Sequence, residues 1–275
     1  MIITIDTGGT KTLISSFSKN GRMGASVKFP TPPDQRDYVA SLRQTLRDNY
    51  AHESVDVIVV ALPGIIKDGV ALWCQNLGWA NFEAAKHFKD LLPGVPVLIE
   101  NDANLAGIAE TRALNPVPVS SLYVTISTGI GSGFCTNGFI DPGLRHSEAG
   151  HALVEFDGHV QRWEAFASGH AIVNVYKKFA RDITSKRTWR QIADRMSRGF
   201  LAVIPITQPD VIIIGGSVGS YFDRYGDFLT QTLTERLPSH IPCPKIVQAQ
   251  HPEQAVVYGC YYYGKDYLAN QKAKK

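Results

Sequence analysis

Along this chain the spacing of apolar positions changes period several times, and each change marks an element. Ile2–Asp6, Lys11–Phe17 and Gly21–Phe29 are β-prone runs separated by Gly-rich or Asn-Gly turn signals, which predicts three short strands. Thr31-Pro-Pro-Asp34 breaks the pattern and offers an N-cap, and a helix is predicted from about Gln35 to Tyr50. Val55–Ala61 reads as an apolar strand ended by Pro63-Gly64. A helix over Asn81–Leu92, a strand over Val95–Ile99 and a helix over Asp102–Ala113 follow.

Asn115-Pro-Val-Pro118 then punctuates the chain, and the order restarts. Ser121–Ser127 and Gly131–Thr136 are predicted strands, followed by helices near Trp163–Ala180 and Thr188–Ile204. The apolar strand Val211–Ile214, a helix around Phe222–Leu237, a strand near Ile246 and a last helix from about Gln254 complete the series. Both halves run from strands into alternating helices and strands, which predicts a duplicated α/β unit with domains at residues 1–117 and 118–253. No residue-level repeat accompanies the repeated order.

Composition narrows the class without choosing a chemistry. A length of 275 residues, 44% of them hydrophobic and 19% charged, suits a globular chain of two domains. The longest apolar run, Val57 to Leu62, is far too short to cross a bilayer. The N-terminus enters Ile2-Ile3-Thr4-Ile5 without a basic leader, so a cytoplasmic protein is expected. The net charge is +3, and Lys272, Lys274 and Lys275 supply that excess, so neither nucleic acid nor membrane lipid is expected as a partner. Cys74, Cys135, Cys243 and Cys260 are scattered, which predicts buried free thiols.

Three glycine-rich turns are the first candidates for chemistry. Asp6-Thr-Gly-Gly-Thr-Lys11 lies between two predicted strands, so it is neither a P-loop nor a dinucleotide fingerprint, both of which open a helix. Gly8, Gly9 and Thr10, with the Thr7 hydroxyl and Lys11, could bring donors against a phosphate, and Asp6 could hold Mg²⁺ through water. An ordinary hairpin would need the same glycines. Ser127-Thr-Gly-Ile-Gly-Ser-Gly133 repeats the device, offering Thr128, Gly129 and Gly131 as a second phosphate clamp. Gly215-Gly216 follows the strand Val211–Ile214, either as a place for an adenosine moiety to pass or as a strand-to-helix turn. Glu100-Asn101-Asp102 stands where a strand gives way to a helix, the end of an α/β sheet at which ligands bind. Asp102 there is either a helix cap or a base for a substrate hydroxyl.

Taken in order, Asp6-Thr-Gly-Gly-Thr-Lys11, Leu62-Pro-Gly64, Asn76-Leu-Gly-Trp79, Glu100-Asn-Asp102, Ser127-Thr-Gly-Ile-Gly-Ser-Gly133, Glu148-Ala-Gly-His151, Glu164-Ala-Phe-Ala-Ser-Gly169 and Ile214-Gly-Gly216 resemble the ROK family of bacterial sugar kinases and related repressors. The resemblance implies an actin-like ATPase (ribonuclease H-like) fold, two α/β domains with ATP and sugar in the cleft between them. The last helix, about 254–270, would join the first domain. It implies an ATP- and Mg²⁺-dependent kinase that phosphorylates a hexose, by default glucose at its 6-hydroxyl, with Asp102 as catalytic base. Gly64, Asn76, Asn101, Asp102, Glu148, His151 and Glu164 would hold the sugar, whose hydroxyls need donors and acceptors at fixed angles. A homodimer is compatible with it.

One segment departs from the family. Many members carry zinc on the histidine of Glu-x-Gly-His and three cysteines of a following Cys-x-Cys-Gly-x-x-Gly-Cys segment, whereas residues 152–163 hold no cysteine. No zinc site is therefore expected. His146, Glu155, Asp157 and His159 are read as solvated loop residues, Trp163 as a packing brace for Glu164, and Glu155 or a backbone carbonyl as the partner that fixes the His151 tautomer. Six basic residues between Arg181 and Arg198 read as a solvated helix face. Two other functions are weighed against the kinase. A sugar-sensing regulator would need a DNA-binding domain ahead of the first strand, which here starts at residue 2. An inactive sugar-binding member is opposed by Asp6, Lys11 and Asp102 standing together.

Overall fold

A computed structural model describes residues 1–251 and 253–273, with Gln75 described by its backbone alone. The elements run β1 (Ile2–Thr7), β2 (Lys11–Phe17), β3 (Met23–Pro30), α1 (Gln35–Tyr50), β4 (Val57–Leu62), β5 (Ile65–Lys67), β6 (Val70–Cys74), β7 (Trp79–Phe82), α2 (Ala84–Phe88), β8 (Val97–Asn101) and α3 (Asp102–Ala113). Then come β9 (Ser120–Ile126), β10 (Ile130–Thr136), β11 (Phe139–Ile140), β12 (Leu153–Phe156), β13 (His159–Arg162), α4 (Trp163–Ala167), α5 (Gly169–Tyr176) and α6 (Lys186–Thr207). β14 (Val211–Gly215), α7 (Gly216–Gly219), α8 (Gly226–Arg236), β15 (Lys245–Gln248) and α9 (Ala255–Ala273) complete the chain. Among the described residues no helix is long and apolar enough to cross a membrane.

Two compact units result, one of Met1–Ala109 with α9 from Val256 on, the other of Glu110–Ala255. The first contains a five-stranded sheet in the order β3-β2-β1-β4-β8, and the second a sheet in the order β11-β10-β9-β14-β15. In each, the first three strands are antiparallel neighbours and the last two join in parallel. Numbered by the strands of that sheet alone, each reads 3-2-1-4-5. The duplication predicted from element order is thus present in the pairing itself, and the fold is the actin-like one.

α1 and α3 match their expected bounds, and β4 runs from Val57 to Leu62 where Val55–Ala61 was expected. α1 starts where Asp34 accepts hydrogen bonds from the Arg36 and Asp37 N–H groups, at 2.8 and 3.1 Å, and it buries Tyr38, Leu42 and Leu46. β4 is buried along its whole length, as a central parallel strand must be when both faces are covered. Tyr261, first of three consecutive tyrosines in α9, packs with its ring 4.8 Å from that of Phe17.

Four expectations require correction. The helix expected over Asn81–Leu92 is a strand, β7, and a short helix, α2; Asn81 takes φ 51° and Trp79 pairs with Cys74. Trp79 and Phe82 are worth more packed with Tyr38 and Phe88 than spread along a helix, and β5, β6 and β7 form a small sheet with no sequence-level prediction. The helix expected over Trp163–Ala180 breaks at Ser168, whose hydroxyl caps α5 by accepting from the Ala171 N–H, and it ends at left-handed Lys177. The helix expected to begin at Phe222 opens with a 3₁₀ turn, and α8 proper starts at Gly226. The loop after His151 is a hairpin, β12–β13, turned by Asp157 and Gly158 at φ 53° and 79°, the two positive values a two-residue I′-type turn requires. Of the lysine tail, Lys272 lies in α9, and Lys274 and Lys275 fall outside the described residues.

Candidate functional site

The candidate residues divide between the units, and each group is built by its own sheet. In the first unit, β1 delivers Asp6 and Thr7 to the turn before β2, closed by a hydrogen bond from the Gly8 N–H to the Lys11 carbonyl at 3.1 Å. Thr31 braces that turn from β3's end, donating its N–H to the Thr10 carbonyl (3.0 Å) and its hydroxyl to the Gly8 carbonyl (2.8 Å). Gly9, Thr10 and Lys11 are exposed. The Thr7 hydroxyl is not among the available donors, contrary to expectation: it turns inward and pairs with the Tyr38 hydroxyl at 2.7 Å.

Asp6 is held differently. Burial pushes its carboxyl up to about 6, and among the described residues no cation pairs with it. An uncompensated carboxylate beside a glycine turn suits a divalent cation, which would restore its charge.

Asp102 sits two strands over, beyond β4, at the first turn of α3. The cap of that helix is Asn101, whose Oδ1 accepts from the Asn104 N–H at 2.9 Å. Asn101 also donates its Nδ2–H to the Gly64 carbonyl at 2.8 Å, which ties the Pro-Gly turn to the strand end. Gly64 stands at φ 88°, where an added Cβ would run into the Trp73 carbonyl, so that turn requires glycine. Glu100 is buried beneath them, its Oε1 accepting from the Asn101 N–H (2.8 Å) and from Asn104 Nδ2 (3.0 Å). Asp102 Oδ1 accepts from the Ala103 N–H at 2.8 Å, and its charge joins burial in pushing the Cys74 thiol up to about 12. Asn76 is exposed in a 3₁₀ turn, and its backbone lies against Gly9, where a Cβ would come within 2.6 Å of the Asn76 carbonyl. The glycine turn and the Asn76 turn are therefore in contact.

The second unit brings Glu148, His151 and Glu164 together. His151 Nε2 stands 3.3 Å from Glu164 Oε1, and Arg162 reaches the same oxygen at 3.3 Å. The other oxygen, Oε2, accepts from the Ile130 N–H at 3.4 Å and lies where a Cβ on Gly129 would stand 2.8 Å away. The partner of His151 is thus Glu164 and not Glu155, which instead accepts from the Gly158 N–H at 2.8 Å within the hairpin turn. Burial holds Glu148 above the usual carboxylate range, with His151 opposing the shift and Glu164 adding to it. Gly150 allows this arrangement: any Cβ there would collide with the Ile130 carbonyl.

The second glycine turn is anchored on both sides. The Ser127 N–H donates to the Gly129 carbonyl (3.0 Å) and the Gly169 N–H donates to the Ser127 carbonyl (2.7 Å). Thr128 is exposed, and Gly129 and Gly131 are half-buried. Trp163 is fully buried edge-on to Phe200, 4.8 Å between ring centres, with Gly199 against its face, so Glu164 rides on a packed anchor. Gly215 lies under the Tyr123 ring and Gly216 takes φ 79° against the Ile126 carbonyl, so local packing alone already demands both glycines.

Arg162 and Glu100 are the residues sequence reasoning did not assign. Nothing in the pattern marks Arg162, since its relation to Glu164 exists only once β13 runs into α4. Glu100 stands inside a recognisable motif, and its alternation with Ile99 and Asn101 on a strand was the available signal. Among the described residues no group of three or more His, Cys, Asp and Glu side chains is gathered as metal ligands, and Asp157 serves the hairpin turn. The residues present do not fit the family's cysteine zinc site.

A family model described as "ROK family" matches residues 2–266. The N-acetylmannosamine kinase of Haemophilus influenzae (strain PittGG) is 29% identical over 98% of this chain and 97% of its own length. That of Escherichia coli O6:K15:H31 is 30% identical over 79% of this chain and 83% of its own. Among solved structures, a ROK family glucokinase from Streptomyces griseus in complex with glucose and AMPPNP superposes with a TM-score of 0.79 at 22% identity, covering 95% of this chain and 98% of that one. The chain belongs to the ROK family.

Proposed function

We propose, from this membership and from the two residue groups, that the protein is an ATP-dependent sugar kinase acting on a hexose or N-acetylated hexosamine. The observation that carries the reading is Asp102 at the strand-to-helix junction, with Asn101 taking the capping role and Glu100 holding Asn101 and Asn104 from below. In the reaction, a sugar hydroxyl attacks the γ-phosphorus of ATP, its proton passes to the Asp102 carboxylate, and ADP leaves. Asn76, Asn101, Glu148, His151 and Glu164, with the Gly64 turn, would bind the remaining hydroxyls. A carboxylate such as Glu164 accepts from a hydroxyl, and His151 accepts or donates according to its tautomer. Gly8, Gly9, Thr10 and Lys11, with Thr128, Gly129 and Gly131, would meet the phosphates, and Gly215 and Gly216 the nucleoside. Asp6 would hold hydrated Mg²⁺, which neutralises charge on the phosphates.

The relatives' names favour N-acetylmannosamine over glucose as the first substrate to try. A coupled assay over N-acetylmannosamine, N-acetylglucosamine, glucose, mannose, fructose and allose, with ATP and with polyphosphate as donors, tests the reading. Turnover of at least one sugar with a kcat/KM in the enzyme range of ~10⁴ M⁻¹s⁻¹ or more is the expected result. Sugar binding without turnover by any donor would replace the kinase with a sugar-binding protein.

A further inference from the structure

Part of the basic run between Arg181 and Arg198 lines a groove. α6 presents Arg187, Arg190, Asp194 and Arg195 along one side of a groove of about 900 Å³, and Arg236 of α8 and the β12–β13 turn form the opposite walls. A volume of this order is typical of small-molecule sites. Neither the glycine turns nor Glu148, His151 and Glu164 contribute to its lining.

Charge in the groove is unbalanced. Asp194 is shared between Arg236, at 2.7 Å, and Arg198, at 3.4 Å, so its charge is already used twice. Among the described residues Arg187, Arg190 and Arg195 have no ion pair. Arg187 and Arg190 stand three residues apart, and like charges at that spacing on a helix are unfavourable unless something opposite in charge meets them.

Two of these guanidinium groups are also held in place. Arg190 lies over the Phe228 ring at 4.8 Å and Arg195 over the Phe156 ring at 4.7 Å, with one Arg195 N–H on the Phe166 carbonyl at 3.2 Å. Stacking occupies the face of a guanidinium and leaves donors on its edge, the geometry with which arginine grips phosphate oxygens in pairs. From Arg187 to Arg195 the helix advances ~12 Å, farther than one phosphate reaches.

We propose that this groove binds a small anion carrying two or more phosphate groups, at a site independent of the phosphoryl-transfer residues. An inorganic phosphate chain and a sugar bisphosphate share that chemistry, and the experiment separates them. Calorimetric titration of the full chain with tripolyphosphate and with fructose 1,6-bisphosphate should give saturable binding of at least one, with Kd below ~0.1 mM at roughly 0.15 M salt. Whichever probe binds tighter identifies the class. The double substitution Arg187→Gln, Arg190→Gln should weaken that binding about tenfold or more, while Lys11→Gln, at the first glycine turn, leaves it within about twofold. If the double variant loses its thermal transition, Arg187→Glu alone, at an exposed position, takes its place. Failure of both probes to saturate by about 1 mM overturns the proposal. So does unchanged binding in the arginine variants, or loss of binding in Lys11→Gln, which would put the anion on the glycine turn.

Discussion

The two glycine turns occupy the same place in two sheets of the same order, between the first and second strands, yet they are built in opposite ways. The first, between β1 and β2, leaves Gly9, Thr10 and Lys11 exposed and carries a half-buried carboxylate in Asp6 that no cation meets among the described residues. The second, between β9 and β10, is pinned by the Gly169 N–H on Ser127 and by Glu164 over Gly129. Both turns are braced by hydrogen bonds, but the first keeps its carboxylate available and the second lies under a carboxylate that is already partnered. The same contrast extends to the groups around them. In the first unit the Asp6 carboxylate meets no cation among the described residues, whereas the Glu164 carboxylate of the second is met by His151, Arg162 and a backbone N–H. Substitutions in the first unit should therefore change turnover more than stability, and those in the second the reverse.

Asp102→Asn is the largest expected break on the first side. It should lower kcat about a hundredfold or more, with a thermal midpoint within a degree or two of the parent. Near-normal turnover would remove Asp102 from the chemistry. On the other side, Gly150→Ala forces a methyl group against the Ile130 carbonyl, where backbone must move. A loss of about 2–3 kcal/mol in denaturant unfolding is expected, with kcat in the surviving folded fraction far less affected than in Asp102→Asn.

Asp6→Asn sharpens the comparison because its two effects run in opposite directions. The folded protein holds the Asp6 proton up to about pH 6, while an ordinary carboxyl releases it near 3.8. Without a cation, stability conferred by this group is present below about pH 4 and lost as pH rises toward 6. Asn removes that dependence, so the ligand-free variant should melt a few degrees higher at pH 7.5 while losing most of its Mg²⁺-ATP turnover. In the parent, KM for Mg²⁺-ATP should climb as pH falls through about 6. A lower melting point for the variant, or a flat KM profile for the parent, would mean that Asp6 is not the strained charge described.

Arg162→Ala removes one of the contacts to Glu164 and should raise sugar KM a few-fold, with kcat changed by less, because Arg162 is half-exposed and screened. The smallest expected effect is none. A zinc-selective chelator, with free Mg²⁺ held constant, should leave melting temperature and activity unchanged, since among the described residues no group of three or more His, Cys, Asp and Glu side chains gathers around His151 as a tetrahedral site needs. One zinc per chain that disappears in His151→Ala would show that the hairpin holds metal after all.

Local chemistry was enough for α1, β4 and α3. An Asp34 cap, an uninterrupted apolar run and a strand-to-helix switch at Asp102 each act over a few residues, so the chain alone determined them. The motif residues were legible for the same reason, as was the loss of the cysteine segment. Tertiary structure decided what depended on distant partners. Trp79 and Phe82 became strand because Tyr38 and Phe88 were there to meet them. Thr7 turned its hydroxyl inward because Tyr38 offered a partner, and Asn101 rather than Asp102 became the cap of α3. His151 found Glu164 because Gly150 let its turn approach β10, and Arg162 joined them only when a hairpin replaced the expected loop. Periodicity reports which face of an element is apolar; which side chain stands opposite is settled by packing, where a few tenths of an ångström and the company of other charges outweigh local preference.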